Sequence, residues 1–249
     1  MVLDFILDLI YPPKCMICDD IIQIKEPKWI CKSCVGILEY VSEPICEKCG
    51  VPTEEEKSLC TSCVNKDFSF CRNYSPYEYE GAVRAIIHKF KYGNNPQFGK
   101  GFAKLIVDKY GKEFFSEIDI LIGVPMHKKK IRKRGFNQAD ILATEIGKLT
   151  GVESSKKVLI RKKNTKAQSS LTPRARRNNL KDAFEVNKNI DIKSKNIMIV
   201  DDIYTTGSTL EACSAILLKN GAKVVNGLTL SVVRKAEENN SSNNIFEND

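Results

Sequence analysis

The sequence predicts an α/β domain, a mostly parallel sheet flanked by helices, behind a small N-terminal module held together by metal. Two features carry this. From about Arg72 onward, apolar runs of strand length alternate with amphipathic stretches of helical period. Before that point eight cysteines form four Cys-x-x-Cys pairs, at Cys15/Cys18, Cys31/Cys34, Cys46/Cys49 and Cys60/Cys63. They lie in a Pro-rich, irregular segment that needs a staple to fold.

The elements follow in order. Leu3, Phe5, Ile6, Leu9 and Ile10 fall on one face of a short docking helix. Residues 74–79 read as a short strand. Residues 82–92 read as a helix, because Val83, Ile86, Ile87 and Phe90 recur at helical spacing, and residues 98–110 as another. The nearly unbroken apolar run 118–124, ended by Pro125, is the pattern of a buried parallel strand. A helix over 137–149 precedes Gly151, which is placed to end it. A short strand at 158–160 leads into a polar, basic stretch reaching about Asn179. Residues 196–200 form a second buried strand. Residues 208–220 form a helix with Leu210, Cys213, Ile216 and Leu217 inward, and 223–233 a last strand. The tail from Ala236 has the composition of a disordered segment. The expected division is a module at 1–70, a domain at 71–235 and a tail at 236–249.

Composition is that of a soluble globular chain, 42% apolar and 28% charged, but the charge is unevenly placed. Residues 71–235 hold 32 Lys and Arg against 15 Asp and Glu, a surplus of +17, while 1–70 carry −5 and 236–249 carry −4. That surplus points to a polyanionic ligand, to nucleic acid, or to both. No apolar run approaches the ~20 residues of a membrane helix, so no membrane insertion is expected. Asp4 and Asp8 interrupt the first apolar stretch and no basic segment precedes it, which argues against a targeting signal. The chain is expected in the cytoplasm, where clustered cysteines bind metal rather than form disulfides.

Each Cys-x-x-Cys pair can place two thiolates on adjacent corners of a tetrahedron, and Gly50 after Cys49 frees the turn around the sulfurs. Eight ligands imply two zinc sites of four thiolates each. Sequential pairing (15/18/31/34 and 46/49/60/63) is favoured over an interleaved arrangement. Four-thiolate zinc leaves no open coordination position, so the role is structural, with a partner surface the alternative and redox chemistry a weaker one. The module's negative charge argues against its being the main DNA contact. Cys71 and Cys213 stand outside the pairs, and Cys213 belongs to the core.

The most informative stretch joins a buried strand to Asp201-Asp202-Ile203-Tyr204-Thr205-Thr206-Gly207-Ser208-Thr209 and then to a helix. Backbone N–H groups at a helix N-terminus make an anion site, and the helix dipole favours phosphate there. Thr205, Thr206, Ser208 and Thr209 add hydroxyl donors, and Gly207 permits close backbone approach. Asp201 and Asp202 are poor phosphate neighbours but good acceptors for vicinal sugar hydroxyls. Phosphate on one side and a diol on the other describe a ribose 5-phosphate. No Gly-Lys-Ser/Thr of a Walker loop is present.

In a parallel sheet with right-handed crossovers, loops leaving strand C-termini share one edge. The loop after Val124 carries His127, Lys128, Lys129, Lys130, Arg132, Lys133 and Arg134. The loop after Ile160 carries Arg161, Lys162, Lys163 and Lys166, then Arg174, Arg176 and Arg177. Alone, either run would read as a solvated basic face; beside a phosphate site they read as ligand contacts. His127 is a possible ligand contact and His88 a helix-surface residue.

The stretch 201–209 closely resembles the phosphoribosyl pyrophosphate (PRPP) motif of type I phosphoribosyltransferases. The succession of Cys pairs, Tyr79-Glu80-Gly81 to Phe90-Lys91-Tyr92, Arg134-Gly135-Phe136-Asn137-Gln138, Arg161 with Thr165 and Gln168, Arg177-Asn178, Ala183-Phe184 and the Asp201–Thr209 motif resembles the ComF family. The resemblance implies a type I phosphoribosyltransferase fold, with Asp201 and Asp202 on the ribose hydroxyls and Thr205, Thr206, Gly207, Ser208 and Thr209 around the 5-phosphate. It implies Mg²⁺ bridging PRPP oxygens and Lys128, Arg134, Arg161 and Arg176 as catalytic cations for the departing pyrophosphate. It also implies a part in natural transformation, with single-stranded DNA and a helicase of the DNA-uptake machinery as partners. Two readings stay open: a PRPP-dependent transferase with an unassigned acceptor, or a DNA-handling factor that reuses the fold without turnover.

Overall fold

The computed structural model describes residues 12–22, 29–54, 56, 58–162, 180 and 183–234. The strands are β1 (Asn73–Tyr74), β2 (Tyr77–Glu78), β3 (Ile120–Gly123), β4 (Glu153–Ser154), β5 (Leu159–Arg161), β6 (Phe184–Val186), β7 (Asn196–Tyr204) and β8 (Val224–Val232). Six of them form one sheet in the order β1-β8-β7-β3-β4, with β2 following β1 along β8. Every pairing in it is parallel. β7, between β3 and β8, is the central strand.

Strand alternation sorts the core into two layers. Leu121, Met198, Val200, Leu228 and Leu230 face one layer, with α3 (Gly81–Tyr92), α4 (Phe98–Tyr110) and α6 (Gln138–Thr150). Ile120, Ile122, Ile197, Ile199 and Val225 face the other, with Leu210, Cys213 and Leu217 of α7 (Ser208–Lys219). The four apolar residues that mark α3 as a helix are all buried. In α7 Ser214 takes a buried place and Ile216 is half-buried, a small departure from the expected inward set.

The N-terminal module holds two single turns, α1 (Lys32–Val35) and α2 (Thr61–Val64), each beginning directly after a cysteine. Among the described residues it has no core of its own. Cys15, Met16, Ile22 and Ile30 join the layer containing Phe90 and Phe102, and Cys46, Cys49 and Cys63 join the layer of α7. Glu39 accepts hydrogen bonds from the N–H groups of Ala82 and Val83 and so caps α3 from the module.

Three expectations need correction. The strand at 158–160 was expected in the parallel sheet; β5 instead pairs antiparallel with β6, outside it, and neither β6 nor β4 has an apolar run long enough to announce itself. The basic loop after Val124 contains a helix, α5 (Lys128–Arg134), which Gly135 at φ 90° ends in a left-handed cap. The central strand continues beyond Val200 to Tyr204, so the two aspartates belong to it. The docking helix over 1–13 falls mainly, and the tail 236–249 wholly, outside the described residues.

Candidate functional site at the mouth of the central strand

β3 ends at Gly123, opposite Val200. β7 therefore runs past it, keeping only β8 beside Asp201, Ile203 and Tyr204. That overhang is the mouth of the sheet, and it carries both acids. Successive residues of a strand point to opposite faces. Asp202 turns toward α3, where its carboxylate meets the Lys91 ammonium at 3.0 Å, both side chains mostly buried. Asp201 lies on the α7 side, near Cys213 and Arg161.

Burial pushes the Asp201 carboxyl up to about 7, with Asp202 adding to the rise and Lys91 and Arg161 opposing it. Burial acts to lower Lys91, but Asp202 and then Asp201 overcome it, and the ammonium is held above its ordinary value. The pair is thus a carboxylate locked to a lysine beside a carboxyl poised near neutrality.

The turn after β7 is set by Gly207, at φ 75° and serving as N-cap of α7. A Cβ there would lie 2.5 Å from the Tyr204 hydroxyl and 3.1 Å from the Phe68 ring, so glycine is required by backbone and space alike. Thr206 and Ser208 share a hydrogen bond of 2.9 Å between hydroxyls. Between Asp201 and the turn lies a cavity of about 20 Å³, room for roughly one water. A larger cleft of about 810 Å³ is lined by Thr205 and Thr206 with Glu80, Val233 and Arg234, and by module residues that include Cys49, Cys60 and Cys63.

The basic residues reach this region unequally. On α5, Lys130 and Arg134 sit one turn apart and half-buried, while Lys128, Lys129, Arg132 and Lys133 are exposed. His127 begins α5, its Nδ1 accepting from the Lys129 N–H at 3.2 Å. Burial, then Arg161 and Arg134, lowers the Lys130 ammonium. Arg134 lies over the Tyr92 ring at 5.0 Å and Arg161 over Phe184 at 5.3 Å. Burial lowers Arg161 while Cys213 and Asp201 act to raise it. Arg161 thus approaches Asp201 although its strand lies outside the main sheet. Asn137, buried, donates to the Val124 carbonyl at 3.0 Å and fixes the end of β3 to the start of α6. His88 is exposed on α3, against Tyr92. Arg176, with Arg174 and Arg177, lies outside the described residues.

Sequence reasoning quoted Lys91 and Lys130 within longer stretches and singled out neither. Lys91 follows the buried Phe90, and its place beside an apolar helix face was the available signal. Lys130 stood in a run of lysines, and only the helical phase of α5 separates it from its neighbours.

The eight paired cysteines gather into two clusters, Cys15, Cys18, Cys31 and Cys34, and Cys46, Cys49, Cys60 and Cys63. The sequential pairing is therefore the one adopted. The Cys18–Cys31 and Cys49–Cys60 sulfurs lie 3.8 and 3.6 Å apart. Zinc at ~2.3 Å from each thiolate of a tetrahedron requires about 3.8 Å between sulfurs. The donor sets fit zinc.

Among the described residues no helix is long and apolar enough to cross a membrane. Residues 6–64 match the double zinc ribbon domain, and residues 91–247 the phosphoribosyl transferase domain. The chain is 28% identical over 201 residues to the DNA utilization protein YhgH of Salmonella typhimurium, covering 79% of this chain and 87% of that one. It is 26% identical over 234 residues to the competence protein ComFC of Bacillus subtilis, covering 87% and 93%. Among solved structures it is similar to a purine phosphoribosyltransferase from Pyrococcus horikoshii, at 20% identity, 55% and 75% coverage and a TM-score of 0.35. With a parallel sheet of this order, two four-thiolate zinc sites ahead of it and a domain match over more than half its length, the chain belongs to the phosphoribosyl transferase domain family, as a ComF-type member with an N-terminal double zinc ribbon.

Proposed function

We propose that the mouth of β7 binds PRPP, or a similar phosphoribosyl ligand, with Mg²⁺. The observation that carries this is the juxtaposition of an acid pair on the overhanging strand with a left-handed glycine turn opening a helix N-terminus. In this reading Asp201 and Asp202 accept from the ribose hydroxyls. Thr205, Thr206, Gly207, Ser208 and Thr209 hold the 5-phosphate. Arg134 and Arg161, with Lys130 now beside them, face the pyrophosphate; Lys128 serves from the exposed first turn of α5, and Arg176 belongs to the same set. Mg²⁺ bound with the ligand would neutralise charge on the leaving pyrophosphate, and the acid pair offers hard oxygen donors that suit it. The division into 1–70, 71–235 and 236–249 belongs to the same proposal, since β1 at Asn73 is the first strand of the sheet.

Calorimetric titration of Mg-PRPP tests the reading. Binding is expected in the wild type and not in Asp201→Ala/Asp202→Ala. A wild type that fails to bind, or a double variant that binds equally well, refutes it. Turnover is a separate outcome, read as pyrophosphate release with candidate acceptors.

A second reading has its own support. The outward face of α5 presents Lys128, Lys129, Arg132 and Lys133 to solvent, and curated relatives carry the names DNA utilization protein and competence protein. We infer that this face meets single-stranded DNA during DNA uptake, with a helicase of that machinery as a further partner. Lys130 and Arg134 on one side of this basic helix and Lys129, Arg132 and Lys133 on the other divide ligand from DNA, with Lys128 shared between them, so the readings are compatible.

A further inference from the structure

The cleft lined by Thr205 and Thr206 is also lined by Cys49, Cys60 and Cys63 of the second zinc ribbon, and the segment that carries this ribbon is tied to the turn, to the helix it opens and to the strand beside Asp201. Gly207 is packed against the Tyr204 hydroxyl and the Phe68 ring. Tyr204 meets Phe70 edge-on, with centroids 6.4 Å apart, and Phe70 stacks on Phe68 at 4.7 Å. All three rings share a buried cluster with Cys46, Cys49 and Cys63. A second tie follows the last cysteine: Ser69 donates from both its N–H and its hydroxyl to the two carboxylate oxygens of Glu211, each at 2.7 Å. Glu211 lies in the first turn of α7, the helix that the turn opens. A third tie runs through Asn73, fully buried, whose Nδ2 donates to the Cys49 carbonyl at 3.1 Å and to the Thr229 hydroxyl at 3.3 Å. Thr229 stands opposite Asp201 in the sheet.

The first ribbon has a different foundation. Met16 and Trp29 press on Gly101 of α4, and Lys89 of α3 donates to the Ile17 carbonyl and the Asp19 carboxylate. Those contacts lie on the α3 and α4 layer and leave the turn untouched.

We propose that the second zinc site is part of the phosphate grip. Its four thiolates fix residues 46–63, and these hold Phe68, Phe70 and Tyr204 as positioning residues behind Gly207. Affinity for a sugar phosphate then depends on metal at the second site and not at the first. The proposal rests on reading 201–209 as a ribose-phosphate site.

The experiment compares full-length wild type, Cys18→Ser, Cys60→Ser, Phe68→Ala and Phe68→Leu. Zinc content is measured for each. Ribose 5-phosphate and Mg-pyrophosphate are titrated separately, since the turn is expected to hold only the first. Cys18→Ser and Cys60→Ser should each retain one zinc and Phe68→Ala two. Cys60→Ser and Phe68→Ala should weaken ribose 5-phosphate at least tenfold and leave pyrophosphate within about twofold, a split that general destabilisation would not produce. Phe68→Leu should recover most of the loss, and Cys18→Ser should bind both like wild type. If Cys60→Ser does not fold by circular dichroism, Phe68→Ala decides. A wild type that binds neither ligand sinks the site assignment and this proposal together. A wild type that binds, with Phe68→Ala unchanged or with Cys18→Ser equally weakened, leaves the site standing and overturns the positioning role.

Discussion

Asp201→Asn should stabilise the ligand-free protein, and by an amount that depends on pH. In the folded chain the Asp201 carboxyl is raised from 3.8 to about 7, chiefly by burial and then by Asp202. Between those values the folded state holds a proton that the unfolded state has released. Stability from this group is therefore fully present below about pH 4, falls as pH rises, and is lowest above about pH 7. A rise of that size corresponds to ~4 kcal/mol as a ceiling. Asp201 is only partly buried and belongs to a charged pair, so solvent screening brings the figure to about 2 kcal/mol. Asparagine keeps the oxygen that accepts from the Asp202 N–H at 2.8 Å and removes the charge. The Tm of Asp201→Asn should match wild type near pH 4 and exceed it by roughly 4–8 °C at pH 8. Differential scanning fluorimetry in matched buffers measures this, because carboxylates common to both proteins cancel in the difference. A Tm difference that stays flat from pH 4 to 8, or favours wild type at pH 8, would show that Asp201 is not held near neutrality and refute the reasoning.

Lys91→Met should lower Tm at pH 7, equivalent to about 1–3 kcal/mol, because Asp202 is left without its 3.0 Å partner; Lys91→Met/Asp202→Asn should regain part of that loss. Gly207→Ala should destabilise by about 1–2 kcal/mol from the left-handed backbone alone, more with the Tyr204 overlap, and chemical denaturation reads it. Changing Lys128, Lys129, Arg132 and Lys133 together to Ala should flatten the dependence of single-stranded DNA affinity on salt, by about 0.7 in log–log slope per lost contact. Mg-PRPP titration of the triple variant Lys129→Ala/Arg132→Ala/Lys133→Ala separates the two faces of α5, since Lys128, Lys130 and Arg134 are retained. Metal analysis of the native chain should give two zinc ions.

The core of the candidate site was legible as a local arrangement. A buried strand, two acids, a hydroxyl-rich turn and a helix follow one another within thirteen residues, and the fold only had to bring them to the mouth. The cysteine pairs were legible for the same reason, each being a four-residue unit. What escaped was tertiary. β6 is three residues long and takes its place only by pairing with β5. Lys130 differs from Lys128 and Lys129 by helical phase alone, in a short helix that Gly135 caps. Lys91 meets the acid pair only through a strand more than a hundred residues further on.

The largest departure from the sequence reading is the relation between the two parts of the chain. Read along the sequence, the cysteine module stands in front of the domain. In space its second ribbon is continuous with the layer that supports α7, while its first ribbon caps and packs on α3. α3 carries Lys91, which holds Asp202; α7 begins at the turn beyond Asp201. The two ribbons therefore brace the two helices that flank the acid pair, one on each face of β7. A pocket that keeps one carboxylate salt-bridged and its neighbour partly desolvated is costly to maintain. Over its last four residues β7 keeps a ladder on one side only, with β8. In the positioning role proposed for the second ribbon, a zinc–thiolate site, whose geometry does not depend on a large apolar core, adds support from outside the sheet.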